Sequence, residues 1–348
     1  MIYTFVLLFI IIISLIFLED YLGDYNKYAY WGLCVILILF CGFSTIGVDP
    51  DSEAYEEIFK SSGDDPKLLV ETSFLFLSEI IRSFTDDVHY VFLLYAILGI
   101  TIKFYALRQL SPFYFLPLVI YFGNYFILHD FIQIRAAVAS GMLLLAIKPL
   151  SEGNRKRAVV YFLIANVFHY SSIAFYPILF FSNNLSKIWK YALIAIMPVG
   201  AILFLLHYDF FSTIPVPYLQ SKLEMYRELV ERGVFKELTL KDVFIWIQYA
   251  IILYSLYFYE TIYEKCPALP LLLKITAYSM ACFFVFSSIA VVAARLHELL
   301  CVVELALFPC VFYTIRPQYY GRTAVCAIGT IELVFTLFIW KLLDFSMA

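Results

Sequence analysis

Charged residues are scarce in this sequence. Asp, Glu, Lys and Arg together make up 15% of its 348 residues, whereas hydrophobic residues make up 63%. A soluble globular chain is closer to one quarter charged and one half apolar. The composition therefore excludes a single water-soluble domain and predicts an integral membrane protein that crosses the bilayer several times. The net charge of −4 and the lack of a continuous basic stripe argue against a nucleic-acid partner.

Several common motifs are also missing. The seven cysteines form no CxxC pair and lie mostly in apolar runs, which predicts buried free thiols rather than a zinc site or a disulfide framework. The sequence contains no phosphate-binding loop, no GxGxxG pattern and no GxSxG elbow, so we expect neither a cofactor nor direct use of ATP or a nucleotide-sugar. The first apolar segment lacks a signal peptide's basic start and small-residue cleavage site, so we expect it to be an uncleaved span.

Long apolar runs are what the sequence has in abundance. A run of about 17–25 residues predicts a membrane-spanning helix. About eleven such runs occur, at Ile2–Leu18, Tyr28–Ile46, Val88–Leu107, Phe113–His129, Ile134–Leu150, Ala158–Phe181, Ile188–His207, Asp242–Tyr259, Leu269–Ala293, Leu296–Ile315 and Thr323–Leu343. We expect one all-α transmembrane domain over residues 1–348, of a GT-C-like kind as one option, with water-facing loops at about 47–87 and 208–241.

The positions of Lys and Arg give conflicting orientations. Short basic loops stay in the cytoplasm, which places Arg155–Arg157 inside and the acidic 47–87 loop outside. Arg316 and Arg322 also belong inside. Counting membrane crossings from each of these two basic regions requires both ends of Ala158–Phe181 to be cytoplasmic. Either this segment is a hairpin that turns near His169, or it is one helix that obeys the charge rule weakly. A hairpin would let Arg135, His169 and Arg295 approach the same external side.

Arg135 is the first candidate for function. It opens an apolar segment and precedes the small residues Ala136–Gly141, which let helices approach closely. A guanidinium group grips phosphate oxygens with two parallel hydrogen bonds, so Arg135 is a candidate clamp for a phosphate or diphosphate. The alternatives are an arginine that reaches the lipid headgroups or one that pairs with Asp130.

His169 and Arg295 are the next candidates. His169 precedes the polar residues Tyr170–Ser172 and suits a general base or a hydrogen-bond donor, although a lone buried His is often structural. Arg295 would supply the second positive charge that a diphosphate needs, unless it forms a boundary salt bridge. Helical spacing places Arg295 and Glu298 on one face, and His297 on another face with Cys301 and Glu304.

The first loop supplies acidic candidates. Asp49 and Asp51 have the Asp-x-Asp spacing with which soluble glycosyltransferases hold a divalent metal. Because three residues are little evidence, we expect no metal and instead a carboxylate that orients a sugar hydroxyl or acts as a base. Pro66–Phe84 predicts an amphipathic helix, with Glu71, Ser78 and Arg82 at helical spacing.

These residues occur in an order that resembles a known family. The pattern consists of DSEAYEEIF at Asp51–Phe59, an ET-x-F helix from Glu71, IRAAVASGMLLLA at Ile134–Ala146, NVFHYSSIAFYPI at Asn166–Ile178, and AARLHELL around Arg295. The ordered set is similar to the EpsG/Wzy polymerases of bacterial O-antigen, capsule and exopolysaccharide pathways. One departure is that Ser44 and Thr45 stand where an arginine is expected ahead of the Gly-x-Asp element, which leaves the role of Asp49 and Asp51 in doubt.

The resemblance implies a metal-independent glycosyltransferase in the bacterial inner membrane, with its active site facing the periplasm. Such an enzyme moves a growing glycan from undecaprenyl diphosphate onto a sugar hydroxyl of an undecaprenyl-diphosphate-linked repeat unit. Its lipid-linked donor needs a lateral opening between helices, and a chain-length regulator is an expected partner. The implied site residues are catalytic His169, Arg135, Asp51 and Asp49, diphosphate-binding Arg135 and Arg295, and substrate-binding Tyr55, Glu71, His297, Glu298 and Tyr170.

Two other functions fit the same composition. A flippase or transporter of lipid-linked oligosaccharides would show internal repeats and charges through the middle of the membrane, and the sequence shows no convincing repeat. A membrane O-acyltransferase that acts on glycans would use His169 as its base and would depend on a cytoplasmic acyl donor such as acyl-CoA.

Overall fold

The structure is a computed structural model that describes residues 1–61, 71–206, 240 and 243–345. Within these residues the chain is helical and forms no β-strand. The α-helices are α1 Ile2–Leu22, α2 Tyr25–Gly42, α3 Ser52–Lys60, α4 Thr72–Arg82, α5 His89–Leu110, α6 Leu116–Ile120, α7 Ile134–Ser151, α8 Arg155–Phe168, α9 Lys187–Leu205, α10 Val243–Tyr257, α11 Tyr259–Lys265, α12 Leu269–Val285, α13 Ala290–Cys301, α14 Glu304–Leu307 and α15 Gln318–Val334. Two π-helices, Tyr121–Ile132 and Phe335–Ile339, and two 3₁₀ helices, Tyr170–Phe180 and Phe308–Thr314, continue this series.

Five helices in the described part of the chain are long and apolar enough to cross a membrane. They are Ile2–Leu22, His89–Leu110, Ile134–Ser151, Lys187–Leu205 and Gln318–Ile339, and the pair α10–α11, which bends by 91°, would make a sixth. The expected multi-span membrane protein is therefore supported, but the count of eleven spans is not confirmed. Other expected spans are shorter or interrupted helices, among them Leu116–Ile132 and Leu269–Val285.

Two expected boundaries differ from the structure. The expected spans Leu269–Ala293 and Leu296–Ile315 meet near Arg295, but the chain breaks earlier, between Val285 and Ala290. Arg295 consequently lies inside α13 rather than at a span end. The amphipathic helix expected from Pro66 begins at Thr72 within the described residues, and residues 66–70 lie outside them. The expected loop 208–241 also falls almost entirely outside the described residues.

The π-helix Tyr121–Ile132 forms the centre of the bundle. All twelve of its residues are buried, so it does not face lipid. Its backbone and that of the preceding helix α6 approach α15 closely. A Cβ on Gly123 would lie 2.6 Å from the carbonyl oxygen of Gly329, and a Cβ on Gly329 would lie 2.6 Å from the carbonyl oxygen of Val119 in α6. Both positions require glycine because carbonyl backbone cannot move aside as a flexible side chain can.

The small residues that follow Arg135 pack as the sequence predicts. Ala136, Ala137, Ala139, Ser140 and Gly141 are all buried. A Cβ on Gly141 would lie 2.8 Å from Ile102 of α5, which shows how closely α5 and α7 approach each other. This packing fixes the first turn of α7, where Arg135 lies.

The segment Ala158–Phe181 is a hairpin, which decides between the two interpretations of its charge pattern. Helix α8 ends at Phe168, His169 is extended, and the 3₁₀ helix starts at Tyr170. The two helices pack side by side through the rings of Phe162 and Phe175, whose centroids are 5.4 Å apart. Both ends lie near the Arg155–Arg157 loop, since the nearby Asn183 side chain donates to the Ser151 carbonyl at 3.2 Å. His169 is thus carried to the opposite end of the bundle.

Candidate functional site

One carboxylate, that of Glu71, holds the two principal candidates together. Glu71 lies just before α4 in an extended conformation and is buried. One of its oxygens accepts a hydrogen bond from a terminal nitrogen of Arg135. The other, Oε1, lies 2.9 Å from Nδ1 of His169. A hairpin was expected to let Arg135 and His169 approach the same side, and the structure brings them together through Glu71.

Tyr55 completes the support of Arg135. Its ring, buried on α3, lies beneath the guanidinium group with its centroid 5.2 Å from the arginine Cζ. The same ring packs against Phe74 of α4 at 5.3 Å. Helices α3 and α4 therefore fix both the ring and Glu71. Tyr55 and Glu71, predicted to bind substrate, lie in direct contact with Arg135.

The two acidic residues of the first loop do different things. Asp49 Oδ1 accepts the backbone N–H groups of Asp51 at 3.0 Å and Ser52 at 2.9 Å, which closes the turn ahead of α3. Asp51 instead lies in the electrostatic field of Arg295 and Arg135. Burial raises the pKa of Asp51 above its ordinary value, and the two arginines partly offset this shift. Burial also raises the pKa of Asp49, against the lowering effect of its hydrogen bonds.

Helix α13 separates its polar residues as the helical spacing predicts. Arg295 lies near Asp51, and Glu298 lies 3.4 Å from the Gln133 amide just ahead of α7. His297 is turned away into a buried group in which its Nδ1 lies 2.8 Å from the Ser279 hydroxyl. The structure therefore places Arg295 and Glu298 beside the start of α7 and does not bring His297 to Glu71.

Asp130 does not pair with Arg135. Both carboxylate oxygens of Asp130 accept from the Lys103 ammonium group, at 2.9 and 2.8 Å, and the Tyr121 hydroxyl donates to one of them at 2.8 Å. Lys103 and Asp130 have no exposed side-chain surface. The proposed Arg135–Asp130 pair is thus wrong. Lys103 was not among the predicted site residues, although a charged residue in the middle of an apolar run is a usable signal.

Tyr170 faces outward beside the site. Its hydroxyl lies 3.2 Å from that of Thr72, the residue after Glu71. The two residues form one end of a groove of about 850 Å³, whose walls are mainly side chains of α8 and the following 3₁₀ helix. Thr72 and Asn166, which also lines the groove, were not among the predicted site residues.

The site thus brings together Arg135, Glu71 and His169, with Asp51 and Arg295 close enough to interact electrostatically, at the end of the bundle away from the Arg155–Arg157 loop. Arg135 Nε is buried and has no hydrogen-bond partner among the described residues. A donor of this kind, in a site that holds a second arginine, is suited to an oxyanion ligand. His169 Nδ1, bound to a carboxylate, leaves Nε2 as the basic nitrogen for proton transfer.

Comparisons with known proteins identify a family. No curated protein and no solved structure matches the chain. The sequence profile of the EpsG family, a family of polysaccharide polymerase-like proteins, matches residues 27–347, which is nearly the whole chain and includes every residue of the site. The chain therefore belongs to the EpsG family.

Proposed function

We propose that the protein is a polysaccharide polymerase that transfers a growing glycan from undecaprenyl diphosphate onto a lipid-linked repeat unit. Family membership supports a polymerase of this general kind. The observation that carries the specific proposal is the Glu71 carboxylate, which holds an arginine suited to a diphosphate and a histidine suited to a base. The reaction has a need for each of them.

The reaction replaces one bond at the anomeric carbon of the donor sugar by another. The acceptor hydroxyl oxygen attacks this carbon, the bond from the carbon to the diphosphate oxygen breaks, and undecaprenyl diphosphate leaves with the electron pair. The hydroxyl proton passes to His169 Nε2. Glu71 accepts the Nδ1 hydrogen of His169 at 2.9 Å and stabilises the positive charge that the ring then gains.

Arg135 and Arg295 would stabilise the departing diphosphate. Negative charge grows on the leaving oxygens in the transition state, and fixed guanidinium groups favour that state most. Asp51, near both arginines, would orient them and limit the positive charge of the empty site. Asp49 has only an indirect role in this scheme, because its carboxylate holds the turn that positions Asp51. No metal or cofactor takes part in the proposed reaction.

Tyr55, Glu298 and Tyr170 are proposed to contact the substrate. Aromatic rings stack on sugar faces and carboxylates accept hydrogen bonds from sugar hydroxyls. His297 is proposed to act only indirectly, since its ring lies in the buried group with Ser279. We also propose that this end of the bundle faces the periplasm of a bacterial inner membrane, because the basic Arg155–Arg157 loop lies at the other end. The loop 208–241, a chain-length regulator and the GT-C-like arrangement stay predictions.

The test uses purified protein in detergent with EDTA and an authentic lipid-diphosphate-linked repeat unit, with products resolved on a gel. Wild type should give a ladder of polymer, and Arg135→Ala should lose about 10²–10³-fold in rate because one oxyanion donor is removed. Arg157→Ala is the matched control, since this exposed arginine lies at the other end of the bundle and its side chain donates to the Tyr161 hydroxyl of its own helix. Folded wild-type protein that forms no ladder would contradict the proposal.

Two alternative functions give different results in this assay. An O-acyltransferase would use the same Glu71–His169 pair as its base, and product formation that requires acyl-CoA would identify it. A flippase would translocate the lipid-linked unit without forming a ladder.

A further inference from the structure

A groove of about 850 Å³ lies beside Tyr170, and its lining includes the residues that directly follow Glu71 and His169 in the chain. It runs between α8 and the 3₁₀ helix, with Leu163 and Val167 on one wall and Ile173 and Tyr176 on the other. Leu163, Val167 and Ile173 are more than half exposed, at 54%, 54% and 69%. The groove is apolar along its length and polar at its floor, where Asn166 donates to the Tyr176 hydroxyl at 2.8 Å.

One end of the groove lies beside the site. It is lined by Thr72, which follows Glu71 directly, and by Tyr170, which follows His169 directly, and the hydroxyls of Thr72 and Tyr170 are 3.2 Å apart. Leu163 lies six residues before His169 on an α-helix, so the groove reaches about 9 Å along the bundle from the histidine. Its far end therefore lies deeper towards the middle of the bundle, where a bilayer would supply hydrocarbon.

The chemistry of the two ends differs in a way that defines the occupant. The site end presents Arg135, whose Nε is buried and has no hydrogen-bond partner in the described part of the chain, and Arg295, which acts on the same Asp51 carboxylate as Arg135 does. The groove presents aliphatic and aromatic side chains. A ligand that satisfies both is an amphiphile with an anionic head and an apolar chain that continues directly from the head.

We infer that this groove binds the first isoprene units of the polyprenyl diphosphate, with the diphosphate at Arg135. The inference rests on the proposed function and adds the subsite that positions the donor lipid. Lipid chains are as apolar as the groove, so seating the polyprenyl chain there gains little hydrophobic free energy. The groove instead fixes the direction from which the anomeric carbon approaches His169. Blocking it should therefore lower kcat/KM for long-tailed donors rather than abolish binding.

The experiment compares two donors that carry the same sugar unit, one with a polyprenyl tail long enough to fill the groove and one with a single isoprene unit. Wild type should prefer the long tail by tenfold or more in kcat/KM. Leu163→Trp should fill the groove and erase this preference. Val35→Trp on α2 is the control, because Val35 is equally exposed at 54% and does not line the groove.

An equal preference in Leu163→Trp and Val35→Trp, with polymer formed by both, would overturn the groove and leave the proposed function intact. A second arm does not need turnover. A polyprenyl diphosphate with a photoreactive group in its first isoprene units should crosslink to residues 163–176 of wild type, and excess unlabelled polyprenyl diphosphate should suppress this crosslink. Crosslinks elsewhere, or crosslinks that excess phospholipid suppresses equally well, would overturn the inference. If no polymer formed but the expected crosslinks did, the proposed polymerase activity would be rejected and the lipid-binding groove would be supported.

Discussion

Glu71 shows what a single residue contributes to the site. A carboxylate between a guanidinium and an imidazole fixes the direction of both, and it determines which imidazole nitrogen can accept a proton. The sequence placed Glu71 only as a substrate contact. Its partners are 64 and 98 positions away in the chain, and such pairings have no local signal. Arg135, His169 and Arg295 could be predicted because each is an ionisable residue in an apolar run.

Glu71→Gln should lower the rate of polymer formation by about 10²–10⁴-fold, the usual contribution of an oriented base. Glutamine keeps the shape but cannot stabilise a charged imidazole. The measurement is the pH profile of kcat/KM in the in vitro assay. In the variant, the part of the profile that depends on the pKa of the base should move along the pH axis, and the maximum rate should also fall. Glu79→Gln is the control, because Glu79 is an exposed glutamate on α4, the helix that follows Glu71. A variant with wild-type rates would show that His169 works without Glu71.

Arg135→Lys and Arg295→Lys should each lose most polymer formation although charge is kept. Lysine has no planar fork for two parallel hydrogen bonds to a diphosphate. The measurement is the ladder assay at matched protein amounts. Wild-type polymer from both lysine variants would discard the diphosphate clamp.

Asp51 offers a test of electrostatics through stability. Its pKa is raised in the folded protein, so the fold binds more protons than the unfolded chain and stability falls as pH rises through the interval between the two pKa values. Asp51→Asn should remove this loss. The variant should melt at or above the wild-type temperature at pH 7, with the difference vanishing in acid. Asp86→Asn, at an exposed position in the same region, is the control, and its melting temperature should follow that of wild type at every pH. A large drop in the melting temperature of Asp51→Asn at pH 7 would show that the attraction of Asp51 to the arginines outweighs the cost of its burial.

At the scale of elements, the hairpin was foreseeable and the interrupted helices were not. Positive charges at Arg155–Arg157 and near the C-terminus left two alternatives for Ala158–Phe181, a hairpin or one helix that obeys the charge rule weakly, and the chain reverses at His169. By contrast, the π-helix Tyr121–Ile132 has an apolar composition like that of an ordinary span, and its full burial arises from packing partners far along the chain. Hydropathy measures how apolar a segment is but not whether lipid or protein covers it.

Gly329→Ala should destabilise the bundle by about 1–3 kcal/mol, as expected for overpacking against atoms that cannot yield. The added Cβ would meet the Val119 carbonyl oxygen at 2.6 Å and its carbon at 2.9 Å. Thermal unfolding in detergent is the readout. Gly32→Ala in α2 is the matched control because nothing lies within 4 Å of its Cβ, and it should be neutral or slightly stabilising. Equal melting of the two variants would show that α6 and α15 are not in close backbone contact.

At the scale of the whole molecule, the basic Arg155–Arg157 loop and the candidate site lie at opposite ends of the bundle. The seven cysteines of the chain are all buried and form no disulfide, so they should react little with a thiol reagent, and labelling should report the introduced cysteines. Lys156→Cys and Lys187→Cys flank the hairpin and should react with a membrane-impermeant maleimide from the same side. Asp86→Cys should react only from the opposite side. Labelling of Lys156→Cys and Lys187→Cys from different sides would contradict the hairpin.

The Glu71–Arg135 contact has a consequence for selectivity among anions. In the resting protein a carboxylate already neutralises part of the guanidinium charge through one terminal nitrogen of Arg135. Any phosphate that reaches Arg135 must therefore compete with Glu71 for this charge, and a singly charged phospholipid headgroup competes less well than a diphosphate. A polymerase surrounded by phospholipid would gain from this competition, since abundant headgroups would not occupy its site and the spent carrier would be released readily when Glu71 recovers its partner.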